Sequence, residues 1–280
     1  MKRIYTYGTQ PASRNLTVAD ILANKAAGRI MTQTNCLEGG EEAEAIEACG
    51  IDMIICRFET YDAARAGAPN TFITAVAPMV RYATTDEILA AAVDTAGRGA
   101  DAILTPRGLG AVEAIANEGI PVQGHVGLVP SLSTKLGGLR MVGKTADEAY
   151  EVLEQMRRLE EAGAFGCEVE CVADDALAEI RKHTNLVVSS IGSGPSADII
   201  FLFLMDLAGD GENPPRHAKA WGDMLSIRKQ LDAERRKALA GFRDDVLSGR
   251  FPDAAHSKSM DTGEREKLLE KLDKRTPAHS

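Results

Sequence analysis

Eight short runs rich in apolar and β-branched residues alternate with helical stretches from about residue 16 onward. The runs are RIMTQTN, IDMIICR, TFITAV, DAILTP, PVQGHV, FGCEVECV, NLVVSSIG and IIFLFLM. Several of the intervening helical stretches end at a glycine, and the first has Thr17 and Asp20 in capping-box spacing. Such strict alternation predicts parallel strands with helices packed outside them.

The number of strand–helix units favours a closed (β/α)₈ TIM barrel over an open doubly wound sheet. Eight units fit into roughly 200 residues, and no glycine-rich dinucleotide fingerprint follows the first strand. We therefore predict an α/β fold, with a single TIM barrel domain over residues 1–257 that includes an N-terminal helix and C-terminal helices. Residues 258–280 are predicted to be a charged helical or frayed tail.

Charge and composition narrow the class of partner. The 32 Lys and Arg residues against 41 Asp and Glu give a net charge of −9, which argues against a nucleic acid or an anionic membrane as partner. The start of the chain lacks the apolar segment of a signal peptide, and the run at 199–205 is too short to span a bilayer. Five cysteines, an odd number, fit reduced thiols, so we expect a cytoplasmic protein.

Polar residues at the predicted strand ends are the first candidates for a site, because TIM barrels carry their active sites at the C-terminal ends of the strands. An ordinary structural role is the alternative for each of them. The candidates are Asn35, Arg57, Glu59, Pro78, Thr105, Arg107, His125, Glu170, Ser190, Ser193 and Asp206.

The stretch GCEVEC places Glu168 and Glu170 one residue apart in an apolar run. On a strand both side chains point to the same face, because side chains alternate with a period of two residues. Buried carboxylates are costly unless they are paired or used. Two of them on one face therefore indicate a site rather than a core.

The segment PVQGHVGLVPSLSTKLGGLRMVGKTADEA resembles the ketopantoate hydroxymethyltransferase family, which belongs to the phosphoenolpyruvate mutase/isocitrate lyase superfamily of barrels. The resemblance extends in order over roughly residues 16–257. Further segments that carry it are LTVADILANKAAGRI, GIDMII, GAPN, MVRYAT, LEEAGAFGCEVECV, VVSSIGSG, PPRHAKAWGD and FPDAAHS.

The resemblance implies transfer of a one-carbon unit from methylene-tetrahydrofolate to the carbon beside the carbonyl of a branched 2-oxo acid. It also implies a Mg²⁺ ion that holds the enolate oxygen. Carried over by position, Glu170 matches the catalytic carboxylate of the family, and His125 matches the histidine near the substrate oxygen. Family members are homo-oligomers, which the amphipathic C-terminal helices would suit.

The chain departs from the family at the positions of the metal site. The GDSLG motif of the family is replaced by CRFETYD, and ADLPF by AVAPM, which puts Val76 at a metal-binding position. Mg²⁺ therefore lacks its usual ligands, and the metal ligands are unknown. We hypothesise a rebuilt substrate site that includes Arg57, Glu59 and Arg107, with Arg81, in which one or more of the arginines hold a carboxylate or enolate without metal; ordinary surface ion pairs are the alternative.

The sequence thus favours a divergent enzyme that makes or breaks a C–C bond next to the carbonyl of a small 2-oxo acid, by hydroxymethyl transfer or retro-aldol cleavage. Glu170 would be the acid or base, and Ser190 would contact the substrate. Glu168 would pair with an arginine of a neighbouring strand, or favour a protonated Glu170 through its like charge. Another lyase or hydrolase of the superfamily, and a catalytically silent binding paralogue, remain open alternatives.

Overall fold

All eight predicted runs form strands, and these strands close into a parallel barrel, so the predicted TIM barrel is confirmed. The computed structural model describes residues 1–273. Around the barrel the strand order is β10-β3-β4-β5-β6-β7-β8-β9. The barrel strands are β3 (Met31–Cys36), β4 (Met53–Arg57), β5 (Phe72–Val76), β6 (Ala102–Leu104), β7 (Val122–Gly127), β8 (Gly166–Glu170), β9 (Val187–Ile191) and β10 (Ile199–Phe201). A separate antiparallel pair, β1 (Lys2–Tyr5) and β2 (Pro11–Arg14), precedes them and was not predicted.

Helices connect the barrel strands as the alternation of the sequence predicts, except between β9 and β10, where residues 192–198 contain no helix. Within residues 1–273 they are α1 (Val18–Ala26), α2 (Gly40–Ala48), α3 (Tyr61–Gly67), α4 (Thr85–Gly97), α5 (Leu109–Asn117), α6 (Ser133–Leu136), α7 (Ala146–Glu161), α8 (Asp174–Ile180), α9 (Leu204–Ala208), α10 (Met224–Leu247) and α11 (Glu264–Asp273).

The predicted capping box at the start of α1 is confirmed. The backbone N–H of Asp20 donates to Thr17 Oγ1 (3.3 Å), and the backbone N–H of Thr17 donates to Asp20 Oδ2 (3.0 Å). Thr84 and Glu87 form the same reciprocal pair at the start of α4. These side chains satisfy N–H groups that have no partner inside the first helical turn, and they fix where each helix begins.

The barrel interior changes from apolar to polar along the strand direction. Its first layer is a buried apolar cluster that includes Met31, Met53, Phe72, Val187 and Ile199. The next layer is polar but internally hydrogen-bonded: Thr74 Oγ1 donates to Gln123 Oε1 (3.1 Å), and Ser189 Oγ donates to Gln33 Oε1 (2.8 Å). Alternate residues of the strands pack against the helices as a second, larger apolar core. At the C-terminal strand ends a small apolar cluster on β4, β6, β9 and β10 (Ile55, Leu104, Ile191 and Phe201) is also buried, and the ionisable residues lie on β7 and β8.

A buried ionic cluster ties together the opposite end of the barrel, where the strands begin. The Asp101 carboxylate accepts from Arg14 Nε (2.6 Å) and Arg65 Nη2 (2.5 Å). It also accepts from the backbone N–H of Ile73 at the start of β5 (2.9 Å). The two guanidinium groups donate in addition to backbone carbonyls, among them Gly99 O and Thr71 O. The cluster thereby connects β2, α3 and the starts of β5 and β6.

The chain divides into two compact units, Met1–Gly222 and the residues from Asp223 onward. The first unit contains the whole barrel, and the second contains α10 and α11. The predicted division between residues 257 and 258 stays a prediction. Of the predicted tail, 264–273 form α11, and residues 274–280 lie outside the described part of the chain. Among the described helices, none has the combined length and apolar character that crossing a membrane requires.

We expect Asp101→Asn to lower the free energy of unfolding by about 3–5 kcal/mol, because it leaves two buried guanidinium groups without a counter-charge. Asp62→Asn is the matched control, since Asp62 also binds an arginine (Arg98, 2.7 Å) but is 73% exposed. Its loss is expected to cost at most about 0.5 kcal/mol. Urea denaturation followed by circular dichroism measures both, and equal effects would contradict a structural role for the cluster.

Candidate active site

The two glutamates of β8 both lie inside the barrel. Cys167 and Val169, which alternate with them, are fully buried in the core between strands and helices. Glu168 and Glu170 therefore face the interior, where their side chains are only 10% and 16% exposed. On the neighbouring strand β7, His125 lies directly beside Glu168 in the strand register. The alternation of one strand and the register of two strands are enough to bring these three residues together.

The His125 imidazole lies within reach of both carboxylates. Its Nε2 atom is 3.2 Å from Glu170 Oε2 and 3.8 Å from Glu168 Oε1, and its side chain is 9% exposed. The shorter distance is that of an ion pair, but Nε2 has no hydrogen-bond partner of good geometry among the described residues. Each of the three side chains offers one ligand atom, and these atoms lie within 4.8 Å of one another.

Burial and mutual charge change the protonation of this group. Burial raises the pKa of Glu168 above its ordinary value, the charge of Glu170 raises it as well, and His125 opposes both effects. Burial lowers the pKa of His125, but Glu168, Glu170 and the backbone of Leu128 outweigh it, so the pKa of His125 is raised overall. Glu168 and His125 therefore hold their protons to higher pH than the same groups in water.

Gly127 fixes the backbone next to the catalytic candidates. It has φ +84°, and a Cβ atom at this position would lie 2.4 Å from the carbonyl oxygen of Glu170 and 2.7 Å from Val172 Cγ2. The following residue, Leu128, donates its backbone N–H to the same carbonyl oxygen (2.8 Å). Only glycine allows so close an approach in this conformation. The end of β7 and the end of β8 are thus locked together.

A cavity of about 550 Å³ opens beside His125. Three cationic residues, Arg107, Lys135 and Arg158, line it together with apolar side chains such as Leu132. Of the described residues that line it, none is Asp or Glu. A cavity of this size and charge suits a small anion with an apolar portion.

The predicted arginines have different environments. Arg57 ends β4 with an exposed side chain, and within residues 1–273 no ion pair is recorded for it. Glu59 forms an ion pair with Arg81 (2.6 Å) that is largely open to solvent. Arg107 donates to the carbonyl oxygens of Met79 and Tyr82 (2.8 Å each) and to Ala83. Arg107 therefore holds the loop after β5 while it lines the cavity, and the substrate contacts of Arg57, Glu59 and Arg107 stay predictions.

The sequence also predicted a partner for Glu168 and a substrate contact for Ser190. The partner of Glu168 is His125, and not the arginine expected from the sequence, because the register places His125 beside it and the arginines lie elsewhere. Ser190 follows Ser189, whose side chain lies inside the barrel, so Ser190 has the opposite orientation. Its hydroxyl donates to Gly194 O (2.9 Å), and its predicted contact with a substrate stays a prediction.

Lys135 and Arg158 were not among the residues that the sequence singles out. Arg158 lies on the same face of α7 as Gln155 and Leu159, which also line the cavity, and this i, i+3, i+4 pattern was the available signal.

Asn35, a strand-end candidate, accepts from Leu204 N through Oδ1 (2.6 Å), while its buried Nδ2 has no partner among the described residues. A free amide donor of this kind could bind a ligand.

Comparison with known proteins identifies the family of the chain. The model of the family described as ketopantoate hydroxymethyltransferase matches residues 51–254. A 3-methyl-2-oxobutanoate hydroxymethyltransferase of Hyperthermus butylicus is 33% identical over 283 residues, which cover 90% of this chain and 94% of the relative. An enzyme of the same name from Thermus thermophilus is 36% identical over 202 residues, or 70% of this chain and 74% of the relative.

Two solved structures are similar in fold. A 2,3-dimethylmalate lyase of the PEP mutase/isocitrate lyase superfamily has a TM-score of 0.52 at 12% identity, with 92% of this chain and 100% of the other covered. A phosphonopyruvate hydrolase in complex with oxalate and Mg²⁺ has a TM-score of 0.51 at 13% identity, with coverages of 93% and 99%. At such low identity the likeness extends to the barrel fold alone.

We predict that Glu168→Gln lowers the pKa of His125, because a negative charge is removed while burial remains. In the wild type the pKa of folded His125 lies above its ordinary 6.5. The stabilisation from the protonated ring is therefore complete below pH 6.5 and is lost as the pH rises through the raised pKa. The Glu168→Gln variant should lose this stabilisation at a lower pH than the wild type does.

The measurement is the chemical shift of the His125 Cε1–H proton against pH, with the resonance assigned by its absence in His125→Gln. Glu59→Gln is the control, because Glu59 forms its ion pair with Arg81 outside the barrel interior. An unchanged or higher His125 pKa in Glu168→Gln would contradict the electrostatic coupling.

Gly127→Ala should destabilise the fold by about 2–4 kcal/mol, because the new Cβ atom has both an unfavourable φ and a contact with the Glu170 carbonyl. Gly119→Ala separates the two causes: Gly119 has φ +76°, but a Cβ there meets nothing within 4 Å. We expect about 1 kcal/mol for this control. Equal losses in thermal or urea unfolding would show that the contact with Glu170 is unimportant.

Proposed function

The chain belongs to the ketopantoate hydroxymethyltransferase family, and we propose that it is an enzyme that makes or breaks a C–C bond beside the carbonyl of a small 2-oxo acid. The observation that carries the proposal is the 3.2 Å approach of His125 Nε2 to Glu170 Oε2 at the C-terminal end of the barrel. These are the two residues that match the catalytic carboxylate and the substrate-contacting histidine of the family. Both hydroxymethyl transfer and retro-aldol cleavage require such a pair.

In the proposed reaction Glu170 is the general base. It removes the proton from the carbon next to the carbonyl, and the electron pair moves onto the carbonyl oxygen to form an enolate. His125, kept protonated by the two carboxylates, donates a hydrogen bond to that oxygen. The one-carbon donor, for which methylene-tetrahydrofolate is the candidate, would release formaldehyde on hydrolysis to tetrahydrofolate. The enolate carbon attacks the formaldehyde carbon, the carbonyl of the oxo acid re-forms, and the former formaldehyde oxygen takes the proton held by Glu170 to become the new hydroxyl. In the cleavage direction Glu170 removes the hydroxyl proton as the C–C bond breaks and formaldehyde leaves, and it then returns the proton to the same carbon.

The carboxylate of the substrate would be held by the cations of the cavity. Lys135 and Arg158 line it together with His125, and apolar side chains form the rest of its wall. A 2-oxo acid with a short branched chain combines these two features, a carboxylate and an apolar tail. Arg57 at the end of β4 is a further candidate for the carboxylate, since no ion pair is recorded for its exposed side chain.

The Mg²⁺ ion implied by the resemblance does not fit the positions where the family binds it. The ends of β4, β5 and β6 carry Arg57, Val76 and Leu104. Mg²⁺ requires oxygen ligands in octahedral geometry, and these side chains offer none. We therefore assign no step to Mg²⁺, and the enolate is stabilised by His125.

The proposal predicts that the protein catalyses exchange of the α-proton of 3-methyl-2-oxobutanoate with solvent deuterium in the presence of a chelator. Exchange is followed by ¹H NMR and does not need the one-carbon donor. Glu170→Gln should lower the rate by roughly 10²–10⁴-fold, because the base is lost. Glu179→Gln is the control, because Glu179 of α8 forms only a solvent-exposed ion pair with Lys182 (2.8 Å), and it should leave the rate unchanged.

The same assay distinguishes the alternatives. Lys135→Met should raise the oxo acid concentration at half-maximal exchange while leaving the maximal rate nearly unchanged, as expected for loss of a carboxylate contact. Activity lost on chelation and restored by Mg²⁺ would overturn the metal-free mechanism. Failure to exchange the α-proton of any 2-oxo acid, straight or branched, would favour the silent binding paralogue.

A further inference from the structure

His125, Glu168 and Glu170 converge as a set of metal ligands within the barrel. We propose that these three side chains bind a divalent transition metal ion of the Zn²⁺ type. The position differs from the one that the resemblance implies for Mg²⁺, since it uses β7 and β8 and not the ends of β4 and β5. The inference does not rest on the proposed reaction, because it concerns binding alone.

The spacing of the ligand atoms suits a small ion. Nε2 of His125 lies 3.2 Å from Glu170 Oε2 and 3.8 Å from Glu168 Oε1, and all three atoms lie within 4.8 Å of one another. Ligands about 2.0–2.1 Å from a tetrahedral Zn²⁺ are about 3.3–3.4 Å apart. Small rotations of two glutamate side chains therefore complete the geometry. The backbone positions need no change, because adjacent strands of a closed barrel hold them.

The imidazole presents an unpartnered atom at this place. The side chain of His125 is more than nine-tenths buried, yet its Nε2 atom has no hydrogen-bond partner among the described residues. A buried polar atom without a partner is rare in folded proteins and calls for an explanation. Metal binding would displace the Nε2 proton of His125, and one imidazole with two carboxylates is a ligand set that protein zinc sites use.

The charge of the site also favours a cation. Glu168 is buried, and no hydrogen bond to its carboxylate is recorded among the described residues. Arg107, one of the cations that line the cavity beside His125, donates to backbone carbonyls instead. An ion of charge +2 would compensate both carboxylates at once, which the single charge of a protonated His125 cannot do.

The donor set selects the type of metal. One imidazole nitrogen with two carboxylate oxygens suits Zn²⁺ or Co²⁺, whereas Mg²⁺ prefers oxygen ligands only. Three protein ligands leave a position open for water or a small anion. Glu170 cannot coordinate the ion and accept a proton at once, so bound Zn²⁺ would inhibit metal-free proton abstraction.

The test uses the full-length protein freed of metal with a chelator and then titrated with Zn²⁺ alone by calorimetry. We expect one ion per chain, with at least a tenfold weaker affinity in Glu168→Gln and in His125→Gln. Mg²⁺ should give no binding at the same concentrations. Co²⁺ should give the weak visible absorption bands of a site with nitrogen and oxygen ligands.

His217→Gln is the matched control, because His217 Nε2 is also buried without a partner but lies outside the cluster. Its affinity for Zn²⁺ should equal that of the wild type. A cooperative thermal transition in each variant shows that lost binding is not lost folding. Unchanged affinity in both ligand variants would overturn the proposal, as would the absence of binding. A strong thiolate-to-Co²⁺ absorption band would also overturn the proposal, because it would show that cysteines bind the ion.

Discussion

The closed parallel barrel imposes a period of two on every strand, and this constraint decides which side chains share its interior. On β8 it sends Cys167 and Val169 to the helices and both glutamates inward. On β7 it sends His125 to the same space. The apolar layer beneath, formed by residues such as Met31 and Phe72, supplies the burial that lets the upper end carry charge. The apolar residues that stabilise the barrel and the ionisable candidate residues thus lie at different heights along the strands.

The two buried ionic groups of the barrel differ in how completely they are bonded. At the end where strands begin, Asp101 accepts from Arg14, Arg65 and the backbone of Ile73, so every charge has a directed partner. At the other end the imidazole of His125 lacks such a partner. A fully bonded cluster holds the fold together, whereas a buried atom without a bond indicates where a ligand completes the structure. The hydrogen bonds of each cluster, more than its charge, distinguish the structural end from the functional end.

Most of the fold could be predicted from the sequence, because strand alternation and capping boxes such as Thr17 with Asp20 are local signals. The β1–β2 pair was missed, since its residues are largely exposed and show no clean alternation. Within the site, Glu170 and His125 were found by resemblance to a family. The contact of Glu168 with His125 depends on the register between two strands, which no local pattern encodes. The hydrogen bonds of Arg107 to the loop after β5 are likewise set by tertiary packing.

The backbone contact between Gly127 and the carbonyl of Glu170 has an evolutionary consequence. It fixes the position of the catalytic candidate through main-chain atoms, which no change of side chain at position 168 can disturb. Neighbouring interior residues can therefore vary in charge while Glu170 keeps its place. A barrel built in this way can acquire a new ligand or lose an old one by single substitutions, while the main chain of residue 170 keeps its position.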